Sequence, residues 1–150
     1  MFLAGRQLSP SEMVEKVLPD SPALLVQLAR ERYQAEEDAQ MRRLLAERAE
    51  RLVEEVDLPE DQRHYLRSSA SLLKGLYPKA IASLSRAVEL RPEEAGWRYE
   101  LAVLLEDQGR ISEAHEQAKL CARMDPTNGK YRTLLKDINH TRLTTPTNLD

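Results

Sequence analysis

One feature of this sequence constrains the fold more than any other: several residue types recur after 34 positions. Gly75 and Gly109 are 34 residues apart, and so are Pro92 and Pro126. The same offset relates six further pairs, which are Tyr65 and Tyr99, Tyr77 and Ile111, Ala80 and Ala114, Ala87 and Cys121, Trp97 and Tyr131, and Leu101 and Leu135. A single period shared by turn-forming, small and aromatic residues predicts repeated supersecondary units.

The segments between the glycines and prolines have the composition and periodicity of helices. Ala, Leu, Glu, Arg and Gln are frequent in them, and these residues favour helices. Apolar residues recur at the spacing of one helix face. The predicted helices cover about 11–18, 22–34, 38–56, 60–74, 78–90, 94–108, 111–124 and 130–141. The predicted fold class is therefore all-α.

Each 34-residue unit predicts a helix, a tight turn and a second helix. Gly75 and Gly109 lie where a first helix ends, and glycine is the residue that most easily takes the left-handed backbone conformation found there. The next helix begins within about two residues, which forces an antiparallel hairpin. Ala80 and Ala114 are small at positions where two helices are expected to approach closely.

The pattern resembles that of the tetratricopeptide repeat (TPR) family. It consists of Gly, an aromatic or aliphatic residue, Ala, a small residue and Pro, and it occurs twice with the same 34-residue offset. The resemblance implies a right-handed superhelical solenoid of antiparallel helix pairs with a C-terminal capping helix. Repeats are expected at about 61–94 and 95–128, a degenerate repeat at about 21–59 with its turn at 36–38, and the cap at about 130–141. The repeat domain would span 9–141, between a flexible N-terminus at 1–8 and a disordered tail at 142–150.

Composition excludes several classes of protein. The 150 residues carry 25 acidic and 22 basic side chains with a formal net charge of −3, which argues against a dedicated nucleic-acid binder. No apolar run approaches the roughly 20 residues of a membrane span, so we expect no membrane insertion. The single cysteine excludes an intrachain disulfide framework. We expect a cytoplasmic protein if the chain is complete, and leave its location open if it is a fragment.

The sequence contains no recognisable catalytic or metal-binding constellation. His64, His115 and His140 are its only histidines, and they lack the convergent spacing of a zinc site. Cys121 occupies the position of Ala87 in the preceding repeat, which favours a buried, unreactive thiol. We therefore expect a protein that is not an enzyme and has no catalytic residue, cofactor or metal.

Two local patterns allow more than one interpretation. The run from Ser68 to Ser71 predicts close packing of α-helices, with a polar contact strip as the alternative. The charged stretch from Glu36 to Glu55 predicts a solvated helix face, with a charged docking surface as the alternative. Its residues four positions apart predict ion pairs, namely Arg43 with Glu47, Glu47 with Arg51, and Arg51 with Glu55.

The resemblance also implies which residues bind a partner, because the first helix of each TPR pair lines the concave side. The groove-facing positions carry over to Gln62, Tyr65, Ser69, Leu72, Leu73, Tyr99, Val103, Glu106 and Asp107, and the capping helix adds Lys130, Thr133 and Asp137. Leu72 and Leu73 correspond to Glu106 and Asp107 after 34 residues, so packing does not demand leucine there. They are expected to be apolar anchors or to be covered by another part of the chain.

The function implied by the resemblance is a non-enzymatic scaffold that binds a partner peptide or helix in the concave groove. The clamp that some TPR proteins use for C-terminal carboxylates is not expected, because Tyr65, Ser69 and Tyr99 replace its Lys, Asn and Arg. Two alternatives remain open at this point. One is an accessory TPR segment of a larger enzyme or envelope-assembly protein, and the other is a module that self-associates into a homo-oligomer.

Overall fold

The computed structural model describes residues 2–3 and 6–145, and α-helices make up most of that part of the chain. They are α1 Pro10–Lys16, α2 Pro22–Arg32, α3 Ala39–Glu55, α4 Glu60–Leu73, α5 Tyr77–Leu90, α6 Ala95–Asp107, α7 Ile111–Met124 and α8 Gly129–Thr144. Every buried hydrophobic residue of the described chain lies on one of these helices. The predicted all-α class is confirmed.

The helix boundaries follow the sequence prediction closely, with differences at both ends of the chain. The helices α1 to α7 begin and end within two residues of the predicted positions, and residues 36–38 form a 3₁₀ turn before α3. Two strands, β1 Phe2–Leu3 and β2 Arg6–Gln7, pair antiparallel within the segment predicted to be flexible. None of the described helices combines the length and apolarity that a bilayer crossing requires.

The last helix continues three residues beyond its predicted end. The hydroxyls of Thr141 and Thr144 each donate to the carbonyl four residues earlier, at 3.1 Å. Arg142 donates to the ring of His115 on α7 at 2.9 Å. These contacts extend α8 into the predicted tail, of which residues 146–150 lie outside the described part of the chain.

The two hairpin turns that end α4 and α6 have the same geometry. Gly75 and Gly109 have φ angles of +73° and +74°, in the left-handed region. Each glycine N–H donates to the carbonyl three residues earlier, at 3.0 and 2.9 Å. The N–H groups of Leu76 and Arg110 donate to the carbonyl five residues earlier, at 2.9 and 2.8 Å. This pair of bonds is the Schellman motif, and it confirms the turns predicted from the 34-residue period.

The described residues form two compact units, divided within α5 between Ser83 and Leu84. In the first unit α2 packs on α3, α4 packs on both, and α1 packs on α3. Its core consists of Val14, Leu25, Val26, Ala29, Leu45, Ala49, Leu52, Val53 and Leu66. Burial of each large aliphatic side chain stabilises the unit by about 2 kcal/mol.

In the second unit α6, α7 and α8 pack against one another. Its buried residues on these helices are Leu101, Ala102, Leu104, Leu105, Ala114, Ala118, Cys121, Leu134 and Ile138. The terminal helix α8 buries Leu134 and Ile138 and exposes mostly polar side chains. That distribution is what a terminal repeat needs to cover the core next to it.

The serine-rich run of α4 lies in the core of the first unit. Ser68, Ser69, Ala70 and Ser71 are each at most 5% exposed. Ser68 donates its hydroxyl to the carbonyl of Ala80 at 2.8 Å, and Ala80 itself is fully buried. Small side chains at both positions bring α4 and the first turn of α5 together, so the structure favours the packing interpretation of the run.

A buried arginine of α3 forms hydrogen bonds with α1 and with the segment that follows α1. Arg48 is only 5% exposed, and it donates to the carbonyls of Val14 and Leu18 and pairs with Asp20. Its position in a highly charged helix predicted a solvated side chain. The structure places it inward because α1 ends above α3 and leaves carbonyl groups that need donors.

Alanine at Gly75 or Gly109 is expected to lower the free energy of unfolding by about 1–2 kcal/mol, the cost of the left-handed conformation for a residue with a Cβ. The added Cβ would have no atom within 4 Å at either position, so backbone strain alone causes the loss. Urea denaturation followed by circular dichroism measures it. Gly129→Ala is the matched control, because its Cβ is equally unhindered and its φ is not positive. Equal losses in all three variants would contradict the turn assignment.

Arg48→Ala is expected to lower the free energy of unfolding by about 2–4 kcal/mol, because it leaves the buried Val14 carbonyl without its donor and opens a gap. Thermal and urea denaturation of the full chain measure the change. Arg43→Ala removes an arginine from the same helix whose ion pair with Glu47 is exposed, and it is expected to cost less than about 1 kcal/mol. A similar loss of unfolding free energy in the two variants would show that the contacts of Arg48 with α1 do not stabilise the fold.

Candidate protein-interaction surfaces

The residues predicted to contact a partner lie on α4, on α6 and, for exposed Lys130, Thr133 and Asp137, on α8. Five of them lie on α4 in the first unit, namely Gln62, Tyr65, Ser69, Leu72 and Leu73. Four lie on α6 in the second unit, namely Tyr99, Val103, Glu106 and Asp107. Each unit therefore presents its own candidate surface, and the two are described separately.

On the first unit an arginine that the sequence analysis missed organises the surface. Arg30, in the last turn of α2, donates to the hydroxyl of Tyr65 at 3.3 Å and to Ser69 Oγ at 3.2 Å. Tyr65 is half-buried, whereas Ser69 is 2% exposed. Ser69 therefore supports the surface from beneath. The stretched first repeat hid Arg30, because no 34-residue offset relates α2 to the later first helices.

The leucines of α4 are less exposed than apolar anchors would be. Leu72 and Leu73 are both half-buried, and Leu73 packs against the core of the first unit. Leu73 also borders a surface groove of about 430 Å³ next to Leu76, which is 38% exposed. Gln62 is exposed. Part of the predicted apolar patch therefore serves the core, and the part nearest Leu76 remains accessible.

In the second unit, α6 has a buried side and an accessible side. Leu101, Leu104 and Leu105 are buried. Tyr99, Val103 and Glu106 are half-buried, and their spacing of four and three residues places them on one side of the helix. Together with neighbouring residues of α8, this accessible side of α6 forms what we call the α6/α8 surface. Its residues are Tyr99, Val103, Glu106, Asp107, Tyr131 and Asp137.

An aromatic pair connects the two helices at this surface. The ring centroids of Tyr99 and Tyr131 lie 5.5 Å apart, and the ring planes are tilted by 38°. This separation lies in the favourable range for aromatic pairs. Tyr131 belongs to the repeating positions of the sequence, but the sequence analysis did not assign it to a contact surface.

The rest of the α6/α8 surface is acidic. Burial raises the pKa of Glu106, and the negative charges of Asp107 and Asp137 raise it further. Within the described residues, none of these three carboxylates forms an ion pair. By contrast, hydrogen bonds from arginines lower the pKa of Glu47 and of Glu113. The surface thus combines two tyrosine rings, a valine and three carboxylates, and the predicted groove residue Lys130 precedes Tyr131 on α8.

The predicted pattern of ion pairs on α3 is confirmed only in part. Arg43 pairs with Glu47 at 2.8 Å. The two other predicted pairs are wrong, because Arg51 pairs with Glu15 on α1 instead. Two further acidic residues of α3 form ion pairs with other segments. Glu54 pairs with Arg67 on α4 at 2.6 Å, and Glu50 pairs with Lys74, the residue that follows α4, at 2.5 Å. The helix charges are therefore used mainly between helices.

The thiol of Cys121 is buried, as its position in the repeat predicts. It donates to the carbonyl of Ala95 at an S···O distance of 3.4 Å, and burial raises its pKa to about 11. A thiol of that pKa is almost entirely protonated at neutral pH. In the described chain, no three His, Cys, Asp or Glu residues are grouped so as to hold a metal ion.

Known proteins resemble the chain in both sequence pattern and fold. A family model described as tetratricopeptide repeat matches residues 71–138. The crystal structure of MamA has a TM-score of 0.59 at 15% identity, with 81% of this chain and 76% of that chain covered. No curated protein matches the sequence.

Two further similar structures are complexes. The second TPR domain of human RPAP3, solved by NMR in complex with an HSP70 peptide, has a TM-score of 0.55 at 17% identity, with 79% of this chain and 98% of that chain covered. PcrH, in complex with the chaperone binding region of PopB, has a TM-score of 0.52 at 13% identity, with coverages of 83% and 97%. These similarities confirm the predicted fold of TPR-like antiparallel helix pairs.

Glu106→Gln is expected to raise the free energy of unfolding by about 0.5 kcal/mol near pH 7, because it removes like-charge repulsion at a partly exposed site. The folded chain binds the Glu106 proton more tightly than the unfolded chain, so wild-type stability falls as pH rises through the folded pKa. The advantage of the variant should therefore disappear below about pH 4. Urea denaturation at several pH values measures it.

Glu113→Gln is the matched control for this prediction. Arg110 lowers the pKa of Glu113, so its replacement should reduce stability near pH 7 and leave it unchanged in acid. A gain for both variants, or a loss for Glu106→Gln, would contradict the electrostatic description of the α6/α8 surface.

Proposed function

We propose that the chain, whose residues 71–138 match a tetratricopeptide repeat family model, is a non-enzymatic scaffold for protein–protein interaction. It binds a peptide or helical segment of a partner protein through the accessible sides of its first helices. Two similar folds, those of the RPAP3 domain and of PcrH, are described in complex with segments of other proteins. That parallel supports binding of a polypeptide segment over binding of a small molecule.

The α6/α8 surface is the principal contact site in this proposal, and the Tyr99–Tyr131 pair is the observation that carries it. Tyrosine is enriched at protein interfaces, because it offers a large apolar ring and a polar hydroxyl at a low cost in conformational entropy. Both rings are only half-buried in the free chain. Val103 adjoins Tyr99 along the helix and adds aliphatic area for a partner side chain to cover.

Packing prepares this surface for binding before a partner arrives. Tyr99 and Val103 project from a helix whose opposite side is held by buried Leu101 and Leu105. Tyr131 lies on α8, which the buried residues Leu134 and Ile138 attach to the same unit. Because the contact groups are held by the core, little conformational entropy is lost when they are covered.

The surface of α4 is a second contact site within the first unit. Arg30 positions Tyr65 through its hydroxyl, and exposed Gln62 lies three residues before it on the same side of the helix. Leu72 and Leu73 contribute their accessible edges. Ser69 acts as a support that holds Arg30 in place.

The double variant Tyr99→Ala/Val103→Arg is expected to reduce capture of the natural partner at least tenfold, since loss of a central tyrosine commonly costs about 2 kcal/mol or more. Affinity capture from the native cell, followed by binding measurements with the purified partner, gives this value. Sedimentation velocity of the pure chain in the same buffer distinguishes partner binding from self-association.

Glu116→Ala/Arg123→Ala is the matched control, because both side chains are exposed on α7, the second helix of its hairpin. It is expected to capture the same proteins as the wild-type chain. If a folded Tyr99→Ala/Val103→Arg variant captures the same proteins with the same affinity, the α6/α8 surface is not the contact site.

A further inference from the structure

The acidic residues of the α6/α8 surface are not required by the fold. The 34-residue period relates Glu106 and Asp107 to Leu72 and Leu73, and it relates Asp137 to Val103. The first helices of the chain thus accept aliphatic residues at these positions. A carboxylate that packing does not demand, and that is partly buried without a counter-ion, weakens the free protein. A cation bound beside it would offset that cost.

The charges that act on Glu106 are all of one sign. Asp107 follows it on α6, and the negative charge of Asp137 on α8 also acts on it. Across the described residues, these carboxylates are not arranged as a group that could hold a metal ion. Their spread along two helices suits an elongated cation, such as the side chain of lysine or arginine.

The tyrosine rings of the surface also favour a bound cation. The negative face of an aromatic ring attracts a cation within about 6 Å of its centroid. The second unit already contains one such contact, in which the guanidinium carbon of Arg91 lies 5.3 Å from the ring centroid of Trp97. Tyr99 and Tyr131, half-buried beside the acidic residues, offer partly accessible rings of the same character.

We propose that the partner segment bound at the α6/α8 surface is basic, and that one of its lysine or arginine side chains docks on Glu106, where the negative charges of Asp107 and Asp137 also attract it. An apolar residue of the same segment covers Tyr99 and Val103. This inference rests on the proposed function and adds the chemistry of the partner to it. Charge complementarity carries it, because a cation relieves the repulsion among the three carboxylates while an acidic segment would increase it.

The test uses a phage-displayed library of random twelve-residue peptides selected on the full chain, followed by calorimetry with the synthetic peptides obtained. Lysine and arginine are expected to be enriched in the selected peptides. The isosteric variant Glu106→Gln/Asp107→Asn/Asp137→Asn is expected to bind them at least tenfold more weakly than the wild-type chain. Replacing the peptide's basic residue by glutamine should cause the same loss with the wild-type chain and little further loss with the variant.

A charge-matched control keeps the effect specific to the surface. Glu89→Gln/Glu113→Gln/Glu116→Gln removes three negative charges from exposed positions on α5 and α7. It is expected to bind the same peptides within about twofold of the wild-type affinity, because net charge alone contributes little at moderate salt. Raising the salt concentration with the wild-type chain provides a second test that needs no substitution. Affinity should fall at least tenfold between low and high salt.

The outcomes separate this inference from the proposed function. One outcome overturns the inference and leaves the proposed function standing. In it, the selected peptides lose affinity for the Tyr99→Ala/Val103→Arg variant, but they are not enriched in basic residues. They also bind the Glu106→Gln/Asp107→Asn/Asp137→Asn variant as well as they bind the wild-type chain. A salt-independent affinity overturns it as well. Peptides that bind the Tyr99→Ala/Val103→Arg variant unchanged, or a selection without any binding peptide, overturn the proposed function together with the inference.

Discussion

The left-handed corner at Gly75 and Gly109 is the constraint on which the rest of the structure depends. It reverses the chain within about two residues and satisfies the last carbonyl groups of the preceding helix. Two helices joined by so short a corner must lie antiparallel and close, which requires small residues such as Ala80 and Ala114 on the second helix. Once that geometry repeats, one side of each first helix is committed to the core and another remains accessible.

The accessible sides of the first helices differ in chemistry between the two units. In the first unit a cation lies next to the accessible side of α4, because Arg30 donates hydrogen bonds to Tyr65 and Ser69. The second unit places anions on the accessible side of α6, since Glu106, Asp107 and Asp137 accompany a tyrosine pair. The same helix geometry is thus accompanied by an arginine in one unit and by carboxylates in the other.

Much of this arrangement follows from local sequence, but the contacts that cross between helices do not. The helices and their corners are predicted because glycine, proline and apolar spacing act within a few residues. The predicted pairs of Arg51 with Glu47 and Glu55 are wrong, because a residue of α1 competes for Arg51. Arg48 is buried for a similar reason, since the carbonyl groups that it satisfies belong to a distant segment. Arg30 escaped notice because its partners are 35 and 39 residues away.

The sequence by itself determined the helices, the 34-residue period, the left-handed turns and the burial of Cys121, because each depends on backbone preference or on a repeated residue type. Only the tertiary structure decided that Leu73 packs on the core, that Ser69 lies beneath Arg30, and that Tyr131 joins Tyr99. These outcomes depend on which side chains converge when helices pack, and the distances involved are set by volumes and crossing geometry that a linear pattern does not contain.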